Sequence, residues 1–162
     1  MDPLTDVEAI QRLAIAMVAG MLLGFEREQK NKPAGIRTYM LVVEGAALFM
    51  ICSIMLSGQI IRAGGISDPG RIASTVVQGI GFIAAGVILT TGRQIIGLTT
   101  AAGLWVATAI GLLIGAGFYA IAIVAVVATL IGLVVLQQFE RRFLANGPTY
   151  GNGPTYGDES QL

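Results

Sequence analysis

Apolar residues in this chain come in long blocks separated by short polar breaks, and the blocks have the length of a bilayer crossing. A spanning helix needs about 20 mostly apolar residues. Five windows qualify, at about 9–25, 39–57, 72–90, 98–114 and 118–138. They predict an all-α polytopic membrane protein: a bundle of about five transmembrane helices occupying residues 1–145.

The breaks carry stop and start chemistry. Residues 26–37 form a polar stretch with Pro33 and Gly35, which end helices. Residues 58–70 hold Gly64, Gly65 and Ser67-Asp68-Pro69, where Asp68 suits an N-cap and Pro69 the first helical position. Thr91-Gly92-Arg93-Gln94 reads as a short turn, and Gly115-Ala116-Gly117 as a tighter one that folds the fourth and fifth helices into an antiparallel hairpin. Arg27, Lys30, Lys32, Arg37, Arg93, Arg141 and Arg142 fall on one side, against Arg12, Arg62 and Arg71 on the other. Basic loops stay cytoplasmic, so the N-terminus is expected outside and the C-terminus inside. Residues 146–162 differ in kind: Gly147-Pro-Thr-Tyr-Gly151 recurs as Gly153-Pro-Thr-Tyr-Gly157, and such Gly/Pro-rich sequence is expected to be disordered.

Composition agrees with a lipid-facing exterior. Of 162 residues 54% are hydrophobic and only 12% charged, with a mean hydropathy of +0.75. Soluble domains carry about 25% charged residues. The formal net charge is zero, which leaves no electrostatic footprint for nucleic acid. There is no histidine, and one cysteine, Cys52, cannot make an internal disulfide or a thiolate metal site. The first residues are acidic (Asp2, Asp6, Glu8) where a cleavable signal would be basic, so the first block reads as a retained helix.

Helices in lipid associate through close packing, which small residues permit. Ala16, Gly20 and Gly24 in the first helix, and Gly103, Ala107, Gly111 and Gly115 in the fourth, recur at spacing four and share a face. The third helix has Gly79, Gly81, Ala85 and Gly86. These are expected contact faces, within the chain or between copies, with a permeation path as the alternative. The fifth helix, with one internal Gly132, reads as the most lipid-exposed.

Polar groups inside a membrane need a reason. Glu44 lies about five residues into the second apolar block. At about 1.5 Å per residue that is roughly 8 Å from its end. Thr99 and Thr100 are expected at similar depth, and Gln78 is the second intramembrane polar side chain. Together they form a candidate polar site for a proton or cation, or carboxyl and amide groups satisfied by neighbours. The loop residues Glu26, Arg27, Glu28, Lys32, Arg37 and Arg93 form a candidate partner surface or a set of ion pairs. On the outer side Asp68 and Arg71 are spaced to pair across one turn, and Glu8 to pair with Arg12. Phosphate-binding glycine loops, HExxH and Gly-x-Ser-x-Gly are absent from the sequence, and an enzyme is not expected. No cofactor and no metal site is assigned.

Several ordered motifs carry a resemblance. They are Gly24-Phe-Glu-Arg-Glu28, Lys32-Pro-Ala-Gly-Ile-Arg-Thr38, Gly45-Ala-Ala-Leu48, Asp68-Pro-Gly-Arg-Ile-Ala73, Gly79-Ile-Gly-Phe-Ile-Ala-Ala-Gly86 and Gly97-Leu-Thr-Thr-Ala-Ala-Gly-Leu-Trp105. Over about residues 13–142 the chain resembles the MgtC/SapB family of bacterial inner-membrane proteins. That resemblance implies a five-helix domain in the bacterial cytoplasmic membrane. It also implies links to magnesium limitation, acid stress and virulence, and regulation of membrane partners such as the proton-translocating ATP synthase. Some relatives carry a soluble domain after the last helix, where this sequence has its short tail. Glu44 stands where the family pattern is apolar, Tyr39 where it has histidine, and Gln78 and Ala84 where it has small residues. The leading expectation is a non-enzymatic modulator of membrane partners or of Mg²⁺ and proton homeostasis, as a homo-oligomer. The alternative is a small proton, Mg²⁺ or solute channel or carrier with a path near Glu44.

Overall fold

In a computed structural model, residues 4–91 and 94–143 are described, with side chains at 4–90 and 95–136. The fold is helical throughout: α1 (Asp6–Gln29), α2 (Ile36–Arg62), α3 (Gly70–Ala85), α4 (Leu98–Ala116) and α5 (Tyr119–Phe143), with one small hairpin, β1 (Leu89–Thr91) and β2 (Gln94–Ile96), between α3 and α4. The two strands run antiparallel, Leu89 opposite Ile96 and Thr91 opposite Gln94. Arg93 and the 146–162 repeat lie outside the described residues.

The helix starts and stops follow local chemistry. Thr5 caps α1 through a reciprocal capping box. Its hydroxyl accepts from Glu8 N–H at 3.3 Å, and the Glu8 carboxylate accepts from Thr5 N–H at 3.0 Å. Glu8 is thus a capping residue and not half of an ion pair with Arg12. At α3 the expected start moves by one residue. Pro69 takes the N-cap position instead of the first helical one, and Asp68, just before it, accepts from Gly70 N–H at 2.8 Å in a turn that leads into the helix. α4 ends in a Schellman arrangement. Phe118 N–H donates to Leu113 O and Gly117 N–H to Ile114 O, both at 2.9 Å. Gly117 takes φ +87, a left-handed conformation suited to glycine, and the chain turns straight into α5. The expected α4–α5 hairpin is present.

Four helices, α1, α2, α4 and α5 from Tyr119 to Leu136, are long and apolar enough to cross a bilayer, and the protein is a multi-pass membrane protein. α3 is the exception. The apolar block at 72–90 is not one helix: it stops at Ala85, and the rest enters the hairpin. α3 has 16 residues. At the helical rise that is a length of about 24 Å, short of a hydrocarbon core of about 30 Å. Gly97 fixes the hairpin's exit, because at φ +94 a side chain there would run into the carbonyl of Val87.

α2 lies between α1 and α4, and glycines make both seams. A methyl at Gly20 would sit 2.6 Å from Met40 Cα, and one at Gly24 would sit 2.5 Å from Ile36 Cα. On the other seam, Gly111 abuts the Val43 carbonyl and Gly115 lies against the Ala47 carbonyl, 2.7 Å from where its Cβ would stand. Leu23, Tyr39, Val43, Leu104, Ala107 and Ile110 fill the core between them. α5 is the least buried of the candidate spans, as expected, and nothing approaches Gly132. The α3 glycines behave differently: Gly79 and Gly81 meet nothing within 4 Å, so that stripe is not a contact face among the described residues.

Candidate functional site

Charges concentrate at one end of the bundle, where α1 hands over to α2, and two of them, Glu26 and Arg27, are buried. Glu26 and Arg27 do not belong to the loop as the polarity of residues 26–37 implies. They form the last turns of α1, at 8% and 3% exposure. Arg27 Nε donates to Glu26 Oε2 at 2.5 Å, and Lys30 Nζ, four residues on, lies 2.5 Å from Oε1. Two cations around one carboxylate leave this corner positive. Burying such a pair costs desolvation of both ions, and removing one partner strands the other.

Glu28 works on the backbone. Its Oε2 accepts from Ile36 N–H at 2.8 Å, the first amide of α2. Gly35 at the N-cap has no side chain to do this, and a methyl on Gly35 would meet Glu28 Oε2 at 2.5 Å. Asn31 (φ 48) and Ala34 (φ 62) bend the connection through left-handed conformations. The glutamate of the preceding helix therefore caps the following one across a tight loop. Lys32 is half-buried and Arg37 exposed, and neither forms an ion pair among the described residues.

One turn into α2, Tyr39 is fully buried beneath this corner. Its hydroxyl donates to the Thr100 carbonyl at 3.4 Å and fills the space left by Gly103. In the sequence Tyr39 stands out only as a replacement for a family histidine; its place as the bolt between α2 and α4 is not visible there.

The intramembrane polar residues do not assemble. Glu44 is half-buried on α2 and makes no hydrogen bond or ion pair among the described residues. Thr100 is buried against Tyr39, while Thr99, one residue earlier on the helix, is exposed. Gln78 is exposed on α3 and joins no helices among the described residues. Adjacent helical residues point about 100° apart, so equal depth does not bring side chains together.

At the opposite end Asp68 and Arg71 are both exposed and do not pair with each other. Ser53 Oγ donates to the Pro69 carbonyl at 2.9 Å, and Ser67 Oγ to Ser57 Oγ at 2.9 Å, holding the α2–α3 loop on α2. Arg12 Nη1 donates to the Gly115 carbonyl at 2.8 Å. That contact places a cation on the C-terminal dipole of α4. The Arg12 Nε is buried without a partner among the described residues. From the sequence Arg12 reads as an outer-side charge spaced to pair with Glu8, and its contact with α4 is not visible there. Among the described residues no three His, Cys, Asp or Glu side chains gather as metal ligands.

YhiD of Escherichia coli K12, whose name carries a provisional magnesium-transporter designation, is 44% identical over 138 residues, covering 85% of this chain and 64% of YhiD. Protein MgtC of Brucella abortus strain 2308 is 43% identical over 145 residues, covering 85% of this chain and 58% of that protein. Protein MgtC of Salmonella typhimurium is 40% identical over 133 residues, covering 82% of this chain and 54% of that protein. The chain thus spans between half and two thirds of the length of these relatives. No solved structure matches it. The MgtC family profile matches residues 13–142, which runs from beside the Arg12 clamp through the buried Glu26–Arg27 corner and the glycine seams into the end of α5. On that match and these identities, the chain belongs to the MgtC family.

Proposed function

We propose that this protein is a non-enzymatic bacterial inner-membrane protein that modulates membrane partners, and through them Mg²⁺ or proton homeostasis under stress. The observation that carries the reading is the closure of both glycine seams. Gly20, Gly24, Gly111 and Gly115 touch backbone of α2, so the small residues of α1 and α4 are spent on holding helices together and do not line a path between them. Family membership and the magnesium designation of YhiD support the link to magnesium. The positive corner, with exposed Arg37 and half-buried Lys32 beside the anchored loop, is the surface this reading gives to a partner, of which the ATP synthase is one.

The test is capture of the tagged protein from membranes in mild detergent, with identification of what accompanies it. The reading predicts a stoichiometric membrane-protein partner that is lost in Lys32→Glu/Arg37→Glu while the variant keeps its thermal stability. Absence of any partner from native membranes would overturn it.

A second reading rests on Glu44. A half-buried carboxylate on a spanning helix, without a partner among the described residues, suits a proton or cation site. Under this reading Glu44→Gln abolishes Mg²⁺ or proton flux into proteoliposomes.

A further inference from the structure

The outward side of α3 is the wrong surface to leave against lipid. Arg71, Thr75, Gln78 and Phe82 follow one another at spacings of four, three and four, so they share one helical face, and all four are exposed. Gln78 stands eight residues into α3 from Gly70. At the helical rise that is about 12 Å from its start. Its amide has two donors and an acceptor that lipid cannot satisfy. Beside it Gly79 has open space within 4 Å of where a side chain would begin. Another backbone can therefore approach closely there. At the head of the same helix Asp68 and Arg71 are opposite charges, both exposed, that leave each other unpaired.

We propose that a second copy of this chain docks on this face, forming a two-fold dimer seamed by α3. The occupant follows from self-complementarity. Across a two-fold axis running along α3, Asp68 of each copy meets Arg71 of the other, and one contact generates its mirror. An amide is its own hydrogen-bond complement, so Gln78 meets Gln78 near the axis. Water and headgroups can satisfy Asp68 and Arg71 singly, but hydrocarbon offers nothing to the Gln78 amide, and a second copy matches all three groups in one register. The short span of α3 agrees: a helix that falls short of the hydrocarbon thickness is poorly suited to face the bilayer alone and is better placed at a protein seam.

The test uses the full chain in native membranes and in nanodiscs, in a Cys52→Ser background. Single cysteines replace Thr75, Gln78 or Phe82 on α3, and Val124 or Val127 on the exposed side of α5. The seam predicts oxidative cross-linking to a dimer through the α3 positions and not through α5. It also predicts a dependence on charge in uncross-linked protein. Arg71→Asp lowers the dimer association constant by roughly fivefold, the scale of two modest exposed ion pairs, and Arg71→Lys, which keeps the charge, does not. A monomer by mass in nanodiscs, cross-linking through α5 instead of α3, or Arg71→Asp associating as well as the parent would overturn the proposal. Loss of dimer without loss of partner capture would overturn nothing in the modulator reading, so the two fail separately.

Discussion

Tyr39 and Gly103 fit together as a bolt and its slot: the buried hydroxyl on α2 occupies the space where a β-carbon on α4 would stand, and from there it donates to the Thr100 carbonyl at 3.4 Å. Because Tyr39 has no exposed surface, it has nowhere to retreat. Gly103→Ala should therefore overpack this point and cost about 1–3 kcal/mol. Tyr39→Phe removes one long hydrogen bond and should cost only about 0.5–1.5 kcal/mol. In the double variant the phenylalanine vacates the slot, and most of the Gly103→Ala penalty should vanish. A thermal-denaturation double-mutant cycle in detergent checks this through its non-additivity.

The glycines divide into two groups with opposite expected behaviour. Gly24→Ala forces a methyl against Ile36 Cα at 2.5 Å and the Gly35 carbonyl at 2.9 Å, both backbone, so α1 and α2 must separate. Gly132→Ala meets nothing within 4 Å in the middle of α5. Alanine is the better helix former there by about 0.5–1 kcal/mol. Unfolding midpoints should fall for Gly24→Ala and hold or rise for Gly132→Ala. Equal effects would mean that α1 does not press on α2.

Glu26 and Glu28 are two residues apart and should respond very differently to removal. Glu26→Ala strands the buried Arg27. The expected loss is about 3–5 kcal/mol. Replacing the pair together, as Glu26→Leu/Arg27→Met, should recover much of that loss, because two uncharged side chains need no compensation. Midpoints measured for the single and paired changes decide it.

Glu28→Ala should leave the bundle intact and loosen its loop. It removes the side-chain acceptor on Ile36 N–H and frees the connection over Lys30 and Lys32. Limited trypsin digestion of inverted vesicles should then cut the loop several-fold faster than in the parent, with no change in midpoint. Unchanged cleavage would show that the Glu28 contact does not order the loop.

Much of the bundle is legible in the block pattern because helix length and bilayer thickness are set by the same few numbers. Four of the five expected windows are long spanning helices, and Asp68 and Gly117 act near where their chemistry places them. The third window misleads because hydropathy does not distinguish a helix from an apolar hairpin: Leu89, Ile95 and Ile96 are β-compatible, and the carbonyl contact at Gly97 that fixes the hairpin's exit is a tertiary fact. The candidate polar site fails for a related reason. Depth can be counted along each helix, but the rotation of each helix about its own axis is decided by its packing against neighbours. That rotation turns Thr100 inward and leaves Gln78 outside. Burial of Glu26 and Arg27 is hidden because charged residues after an apolar block read as loop, whereas α1 continues through them to Gln29.

The most direct measurement of whether this bundle modulates partners or carries ions itself is flux into sealed proteoliposomes loaded with a Mg²⁺ or pH reporter. Wild-type protein and Glu44→Gln should both give the leak of protein-free vesicles, with an ion gradient and a membrane potential applied in either direction. Sustained Mg²⁺ or proton entry in the wild type that disappears in Glu44→Gln would contradict the modulator account and establish a carrier through α2.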